Sequence, residues 1–241
     1  MEITRAVEEA ELRLQGIVSP TPLQPSARLS ELYGANILIK REDMQAVRSF
    51  KIRGAYNKIA SLSAEDRRRP IVCASAGNHA QGVAFACARL GIKGTIFMPR
   101  ITPTQKIERV EDFGGELIEI RLVGDSYDEA NQAAQQFCEQ AKGIFVHPFD
   151  DLLTIAGQGT VGKEIHDATR GELGVVIVPI GGGGLASGVA SYLKARNPSV
   201  SVIGAEPAGS PSMYEALKQG RVVTLDELHT FVDGAAVRRT G

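Results

Sequence analysis

"VVIVPIGGGGLASGVASYLKAR", Val175 to Arg196, sets the grammar of the chain. An apolar run reads as a buried strand, four consecutive glycines as a turn, and the remainder as an amphipathic helix. Backbone N–H groups in such a turn, at the positive end of a helix, make an anion site. Without Cβ atoms the main chain can also approach a phosphate closely. A tight strand-to-helix turn seldom needs more than one or two glycines, so four in a row point to a phosphate nest. No Lys-Ser/Thr pair follows them, which excludes the nucleotide P-loop. A dinucleotide fingerprint nearly fits: Gly181, Gly183 and Ala186 match G-x-G-x-x-A, and Glu206 closes the next strand where a ribose-binding acid would stand. A nicotinamide-dinucleotide-dependent oxidoreductase is therefore an alternative, although that fingerprint usually opens a domain and here comes late.

The strand–helix grammar repeats almost from end to end. Strands are predicted at 36–40, 70–75, 94–99, 115–120, 143–148, 175–180 and 201–206, and helices near 51–62, 78–90, 103–113, 126–141, 154–170, 184–196 and 211–219. Alternation at this spacing implies an α/β fold with parallel sheets covered on both faces. "SLSAEDRRRP" (61–70) and "HPFDD" (147–151) are candidate chain crossings. With both, residues 70–146 form a small α/β domain inserted in a large one made of 1–69 and 147–241. "FVDGAAVRRTG" (231–241) stops without a closing element, as a fragment would.

Composition narrows the function classes. The 241 residues are 43% hydrophobic and 23% charged with a formal net charge of −1. That allows one large domain or two small ones. It argues against nucleic acid or a membrane surface as the main partner. No apolar run approaches the ~20 residues of a membrane span, and "MEITRAVEEAELRLQG" (1–16) is a polar amphipathic helix rather than a signal peptide. Cys73, Cys87 and Cys138 are odd in number and lack C-x-x-C spacing, the pattern of a reduced, cytoplasmic protein.

A second small-residue turn lies in "CASAGNHAQGVAFACARLG" (73–91). Ser75, Ala76, Gly77 and Asn78 bring backbone N–H groups and two polar side chains to a helix N-terminus, which can hold a carboxylate; the alternative is that Asn78 is only an N-cap. His79 reads as a helix-start histidine packed beside the turn. His79, His147, His166 and His229 show no metal-ligand spacing, so no metal site is expected. Lys51, in "SFKIRGAYNK" (49–58), has Val47, Arg48, Gly54 and Ala55 as its helical neighbours and so no acidic partner. Desolvation and nearby positive charge favour the neutral amine, a nucleophile toward carbonyls. The bland reading sends its head into solvent. Lysine, phosphate and carboxylate sites together describe pyridoxal phosphate working on an amino acid.

"KREDMQAVRSFKIRGAYNKI", "CASAGNHAQGVAFA" and "GGGGLASG" resemble the three motif blocks of the fold-type II pyridoxal-phosphate enzymes (tryptophan synthase beta-like), and within them the biosynthetic threonine dehydratases. The similarity extends to "HPFDD", "AGQGT", "GAEPAG" and "FVDGAAV". It implies two three-layer α/β/α domains, the small one inserted in the large, and a homo-oligomer (dimer or tetramer). It also implies dehydration and deamination of L-threonine, and of L-serine, to 2-oxobutanoate or pyruvate and ammonia, as the first step of isoleucine biosynthesis. By the same resemblance Lys51 would bind the cofactor covalently and then act as the base at Cα. Asn78 would meet the ring hydroxyl, and Gly181, Gly182, Gly183, Gly184 and Leu185 would hold the phosphate. Ser75, Ala76, Gly77 and His79 would line the substrate carboxylate pocket. Related racemases carry a serine where this chain has Ala76, so dehydration is favoured over the alternative of a serine racemase or serine dehydratase. Glu206 matches one acid of a divalent-cation site in some relatives, whereas Ser212 stands where a second is expected. A Ser-Gly-Gly-rich segment that meets the pyridine nitrogen and a regulatory domain, both found in such enzymes, would lie past Gly241.

Overall fold

The computed structural model describes residues 3–241; Met1 and Glu2, the start of the expected N-terminal helix, lie outside them. In chain order come α1 (Ile3–Leu14), β1 (Leu23–Pro25), α2 (Ala27–Tyr33), β2 (Leu38–Lys40) and α3 (Lys51–Ala60). Next are β3 (Ile71–Ala74), α4 (Asn78–Leu90), β4 (Gly94–Met98), α5 (Thr104–Gly114), β5 (Ile118–Leu122), α6 (Tyr127–Gln140) and β6 (Ile144–Phe145). The last are α7 (Leu152–Thr169), β7 (Val175–Pro179), α8 (Gly184–Arg196), β8 (Ser201–Ala205) and α9 (Ser212–Gln219).

β3 to β6 form one parallel sheet in the order β5-β4-β3-β6. Every residue of β3 and β4 is buried, as expected of central parallel strands with both faces covered. Alternate residues face opposite ways. Ile71, Cys73, Ile96 and Met98 join the core beneath α4, whereas Val72, Ala74 and Phe97 pack with Ala134 and Cys138 of α6. β7 and β8 make a separate two-stranded parallel sheet. Its inner residues Val176, Val178 and Val202 share a core with Val161, Ile165, Val189 and Leu193 of α7 and α8. Its outer residues Val175, Ile177 and Ile203 are exposed, so among the described residues this sheet has helices on one face only, not on both as predicted.

Other departures have local causes. The strand predicted at 115–120 lies at 118–122. Gly115, at φ +52°, instead opens a 3-10 turn, Gly115–Leu117, directly after α5. α7 begins at Leu152, two residues early, because Asp151 caps it by accepting from the N–H groups of Leu153 and Thr154, both at 2.9 Å. β1 and α2 had no forecast: β1 is three residues ending in proline, and α2 buries no side chain, so neither leaves a hydrophobic period. In "FVDGAAVRRTG" the structure has no helix or strand, only an isolated bridge from Arg239 back to Thr224.

The largest core joins Ile52, Ala55 and Ile59 of α3 to Ala80, Val83 and Ala84 of α4 and to β3 and β4. It therefore crosses the chain at 69/70. The helix bearing Lys51 lies against the helix that follows the 75–78 turn. At their contact a Cβ on Gly82 would stand 3.0 Å from the Lys51 carbonyl oxygen, so a side chain there would press the two helices apart.

Candidate active site

Lys51 is the first residue of α3 and half-buried, with its amine turned inward. Nζ donates to the Pro148 carbonyl at 2.8 Å and lies 5.4 Å from the centroid of the Phe50 ring. Among the described residues no carboxylate pairs with it. Burial without a counter-charge pushes its pKa down to about 8. The solvated-lysine reading is therefore wrong for this chain.

The carbonyl that receives Lys51 belongs to a turn that also touches the glycine bend. Phe149, the next residue, fills the space a side chain would take at two of the four glycines. A Cβ on Gly182 would fall 2.2 Å from its ring, and one on Gly184 would fall 2.9 Å from its Cα and carbonyl oxygen. Gly183, the N-cap of α8, has φ +99°, a conformation that glycine adopts readily. The N–H groups of Gly182 through Leu185 have no acceptor among the described residues, the usual condition of a helix start. They form a cradle of bare donors next to the lysine's own partner. Leu185 contributes its main chain only, because its side chain packs into the core of α7 and α8. Gly184→Ala must displace backbone rather than a mobile side chain. It is expected to cost about 1–3 kcal/mol, a drop of about 2–12 °C in the unfolding midpoint, measurable by thermal denaturation.

The 75–78 turn reaches the same region through α4. Gly77, not Asn78, is the N-cap of α4. Asn78 is exposed, and its amide has no hydrogen-bond partner among the described residues, so the capping role does not occupy it. Asn78 lies one helical turn before Gly82, the residue packed on the Lys51 carbonyl. Ser75 and Gly77 are half-buried, and Ser75 Oγ accepts from the Gly77 N–H at 3.2 Å. Ala76 packs on the main core. His79 is committed elsewhere. It is buried, its Nε2 donates to the Val146 carbonyl at 2.8 Å, and burial first, then the Lys51 charge, push its pKa down to about 3. Its side chain thus supports the turn from behind.

Glu206 is engaged as well. Its two oxygens accept from the N–H groups of Met213 and Tyr214 at 2.8 and 2.7 Å, capping α9. The acid that a dinucleotide ribose would need is thus occupied at a helix start.

The sequence reading missed a buried ion cluster two residues beyond Lys51. Arg53 is 1% exposed. Its guanidinium donates to both oxygens of Glu42 at 2.8 Å, to those of Glu164 at 2.6 and 3.0 Å, and to Thr160 Oγ1 at 3.0 Å. Lys40 Nζ also pairs with Glu164. Burial opposes the charge on Arg53, but the hydrogen bonds it donates to both glutamates raise its pKa overall. Burial likewise opposes ionisation of Glu164, and Arg53 and Lys40 lower its pKa overall. The cluster ties β2, α3 and α7 together and sets the start of α3, where Lys51 sits.

Comparison with known proteins places this arrangement. The sequence pattern of the family described as "Pyridoxal-phosphate dependent enzyme" matches residues 14–241. The chain is 52% identical over 233 residues to the biosynthetic L-threonine dehydratase of Bacillus subtilis strain 168, covering 97% of this chain and 55% of that protein. It is 50% identical over 228 residues to the corresponding protein of Halalkalibacterium halodurans, covering 95% of this chain and 55% of the other. The chain thus spans about half the length of the curated relatives it matches. Among solved structures, the processed form of threonine deaminase isoform 2 from Solanum lycopersicum superimposes with a TM-score of 0.94 at 41% identity, over all of this chain and 65% of that one. Maize serine racemase superimposes with a TM-score of 0.91 at 35% identity, over 97% of this chain and 70% of that one.

Proposed function

The chain belongs to the pyridoxal-phosphate dependent enzymes, and from that premise we propose that it forms the catalytic core of a threonine dehydratase. The reaction is dehydration and deamination of L-threonine to 2-oxobutanoate and ammonia, with L-serine giving pyruvate, as the opening step of isoleucine biosynthesis. The observation that carries this reading is the buried, carboxylate-free Lys51 amine, held by a turn that packs on the tetraglycine bend.

The donor set suits the cofactor: an amine of lowered pKa for its aldehyde, unpaired backbone N–H groups at a helix start for its phosphate, and a free amide on Asn78 for its ring hydroxyl. Bound pyridoxal phosphate supplies an electron sink for the pair left when the substrate Cα–H bond breaks. Lys51 Nζ, freed when the substrate amine takes its place, would accept the Cα proton. N–H groups of Gly182 to Leu185 would fix the phosphate end, and the 75–78 turn would orient the substrate carboxylate. Phe50 flanks the amine, and Phe149 packs on the glycine bend beside it.

Adding pyridoxal phosphate to the cofactor-free protein tests the reading. A lysine-dependent absorbance band together with 2-oxo acid release from threonine is expected, and absence of both overturns it. Ala76 supports dehydration over racemisation, because a methyl group carries no exchangeable proton. Ala76→Ser is expected to introduce D-serine formation from L-serine, read by chiral chromatography; no increase would remove Ala76 from that discrimination.

No helix among the described residues is long and apolar enough to cross a membrane. We place the protein in the cytoplasm as a homo-oligomer without nucleic-acid partners, consistent with its three free, mostly buried thiols. Residues 70–146, which supply the whole four-stranded sheet, are our small domain.

A further inference from the structure

We propose that His147 is a positioning residue: its Nδ1 lone pair folds the Pro148–Asp150 turn so that one element aims the Pro148 carbonyl at Lys51 and wedges Phe149 against the glycine bend. Nδ1 accepts from the Asp150 N–H at 2.8 Å and from the Phe149 N–H at 3.3 Å. A backbone N–H can only donate, so Nδ1 is unprotonated and the imidazole proton lies on Nε2. The ring is also fixed sideways. It meets Phe149 edge-on, with centroids 4.6 Å apart, and Phe145 at 6.2 Å. Two features of the site therefore depend on one acceptor. The Pro148 carbonyl is 2.8 Å from Lys51 Nζ, and Phe149 occupies the space opposite Gly182 and Gly184.

Protonation of Nδ1 would replace an acceptor with a donor facing two N–H groups, and the turn would open. Four charged or titratable groups bear on that event. Burial disfavours the imidazolium, Asp150 and Asp151 favour it, and Lys51 opposes it; His79 is coupled to the same charge. The net direction keeps His147 neutral below its ordinary range.

The inference rests on the cofactor assignment above, so the test separates the two. Its probe is pyridoxine 5′-phosphate, which has the phosphate and ring but no aldehyde and cannot bond to Lys51. Affinity is measured by calorimetric titration of the purified protein between pH 8 and pH 5. In His147→Asn the amide oxygen stands where Nδ1 was, whereas in His147→Gln it lies beyond reach. At pH 8 His147→Asn is expected to bind like the parent, and His147→Gln about tenfold more weakly, from the loss of one half-buried acceptor that serves two N–H groups. Toward pH 5 the parent is expected to lose affinity more steeply than His147→Asn, which cannot be protonated. Titration of the probe's own phosphate is common to all variants and cancels in that comparison. Equal affinity of His147→Gln and parent at pH 8 overturns the role, as does a His147→Asn affinity about tenfold below the parent at pH 8. The second comparison stands even if His147→Gln fails to fold. A parent that binds no probe at any pH overturns the cofactor assignment along with the inference.

Discussion

Lys51→Ala is expected to lower 2-oxo acid release from L-threonine by about 10⁴-fold or more, the upper end of what a single general base contributes, and to abolish covalent retention of pyridoxal phosphate. Both losses follow from one atom, because among the described residues no other amine lies at the Pro148 carbonyl beside the glycine bend. Absorbance after gel filtration and a 2-oxo acid assay read them separately; turnover surviving within tenfold of the parent would disprove the assignment. The amine also has a signature that needs no turnover. With its pKa pushed down to about 8 by burial, its neutral fraction at pH 7 is about 300-fold larger than that of a solvated lysine. Acylation of Lys51 in the cofactor-free protein, followed by peptide mass spectrometry, should therefore show a midpoint near pH 8. The same depression weakens the fold. Between its ordinary value and about 8 the unfolded chain binds a proton that the folded chain does not, so stability falls as pH drops through that window and stays lower beneath it. Lys51→Met is accordingly expected to be more stable than the parent below pH 8 and to converge with it in alkali.

Arg53→Met is expected to destabilise the fold by about 3–5 kcal/mol, lowering the unfolding midpoint by about 6–20 °C. The guanidinium is the shared donor for Glu42 and Glu164, and its removal leaves Lys40 as the remaining cation of the cluster. Arg53→Lys should recover only part of the loss, because an ammonium lacks the planar fork that meets both oxygens of each carboxylate. The pH dependence should reverse. In the parent, Glu164 has a lowered pKa and adds stability that is lost as pH falls through the acid range. In Arg53→Met a buried glutamate without its partner has a raised pKa, so the variant gains relative stability as pH falls. Denaturation curves at pH 5 and pH 8 distinguish these cases, and equal losses at both would refute the ionic role of Arg53.

What could be read from the sequence follows the range of each interaction. Lys51 stood out because its helical neighbours are visible within four residues. The strand–turn–helix units around Gly181 and Gly77 declared themselves through short apolar runs and small residues. Pro148 and Phe149 did not, because nothing local in "HPFDD" points to Lys51, which it meets from 97 positions away. Arg53 was equally hidden: its carboxylates lie 11 and 111 positions from it, and a helix arginine usually faces water. Asn78 admitted two readings because capping and ligand binding favour the same residue type. Only the backbone geometry at Gly77 separates them.

The close seating of Gly82 on the Lys51 carbonyl has a mechanical corollary. α3 and α4 share a close joint there, with little side-chain cushion between them. A methyl group at position 82 would act as a shim against the main chain of Lys51, shifting the start of α3 relative to the 75–78 turn.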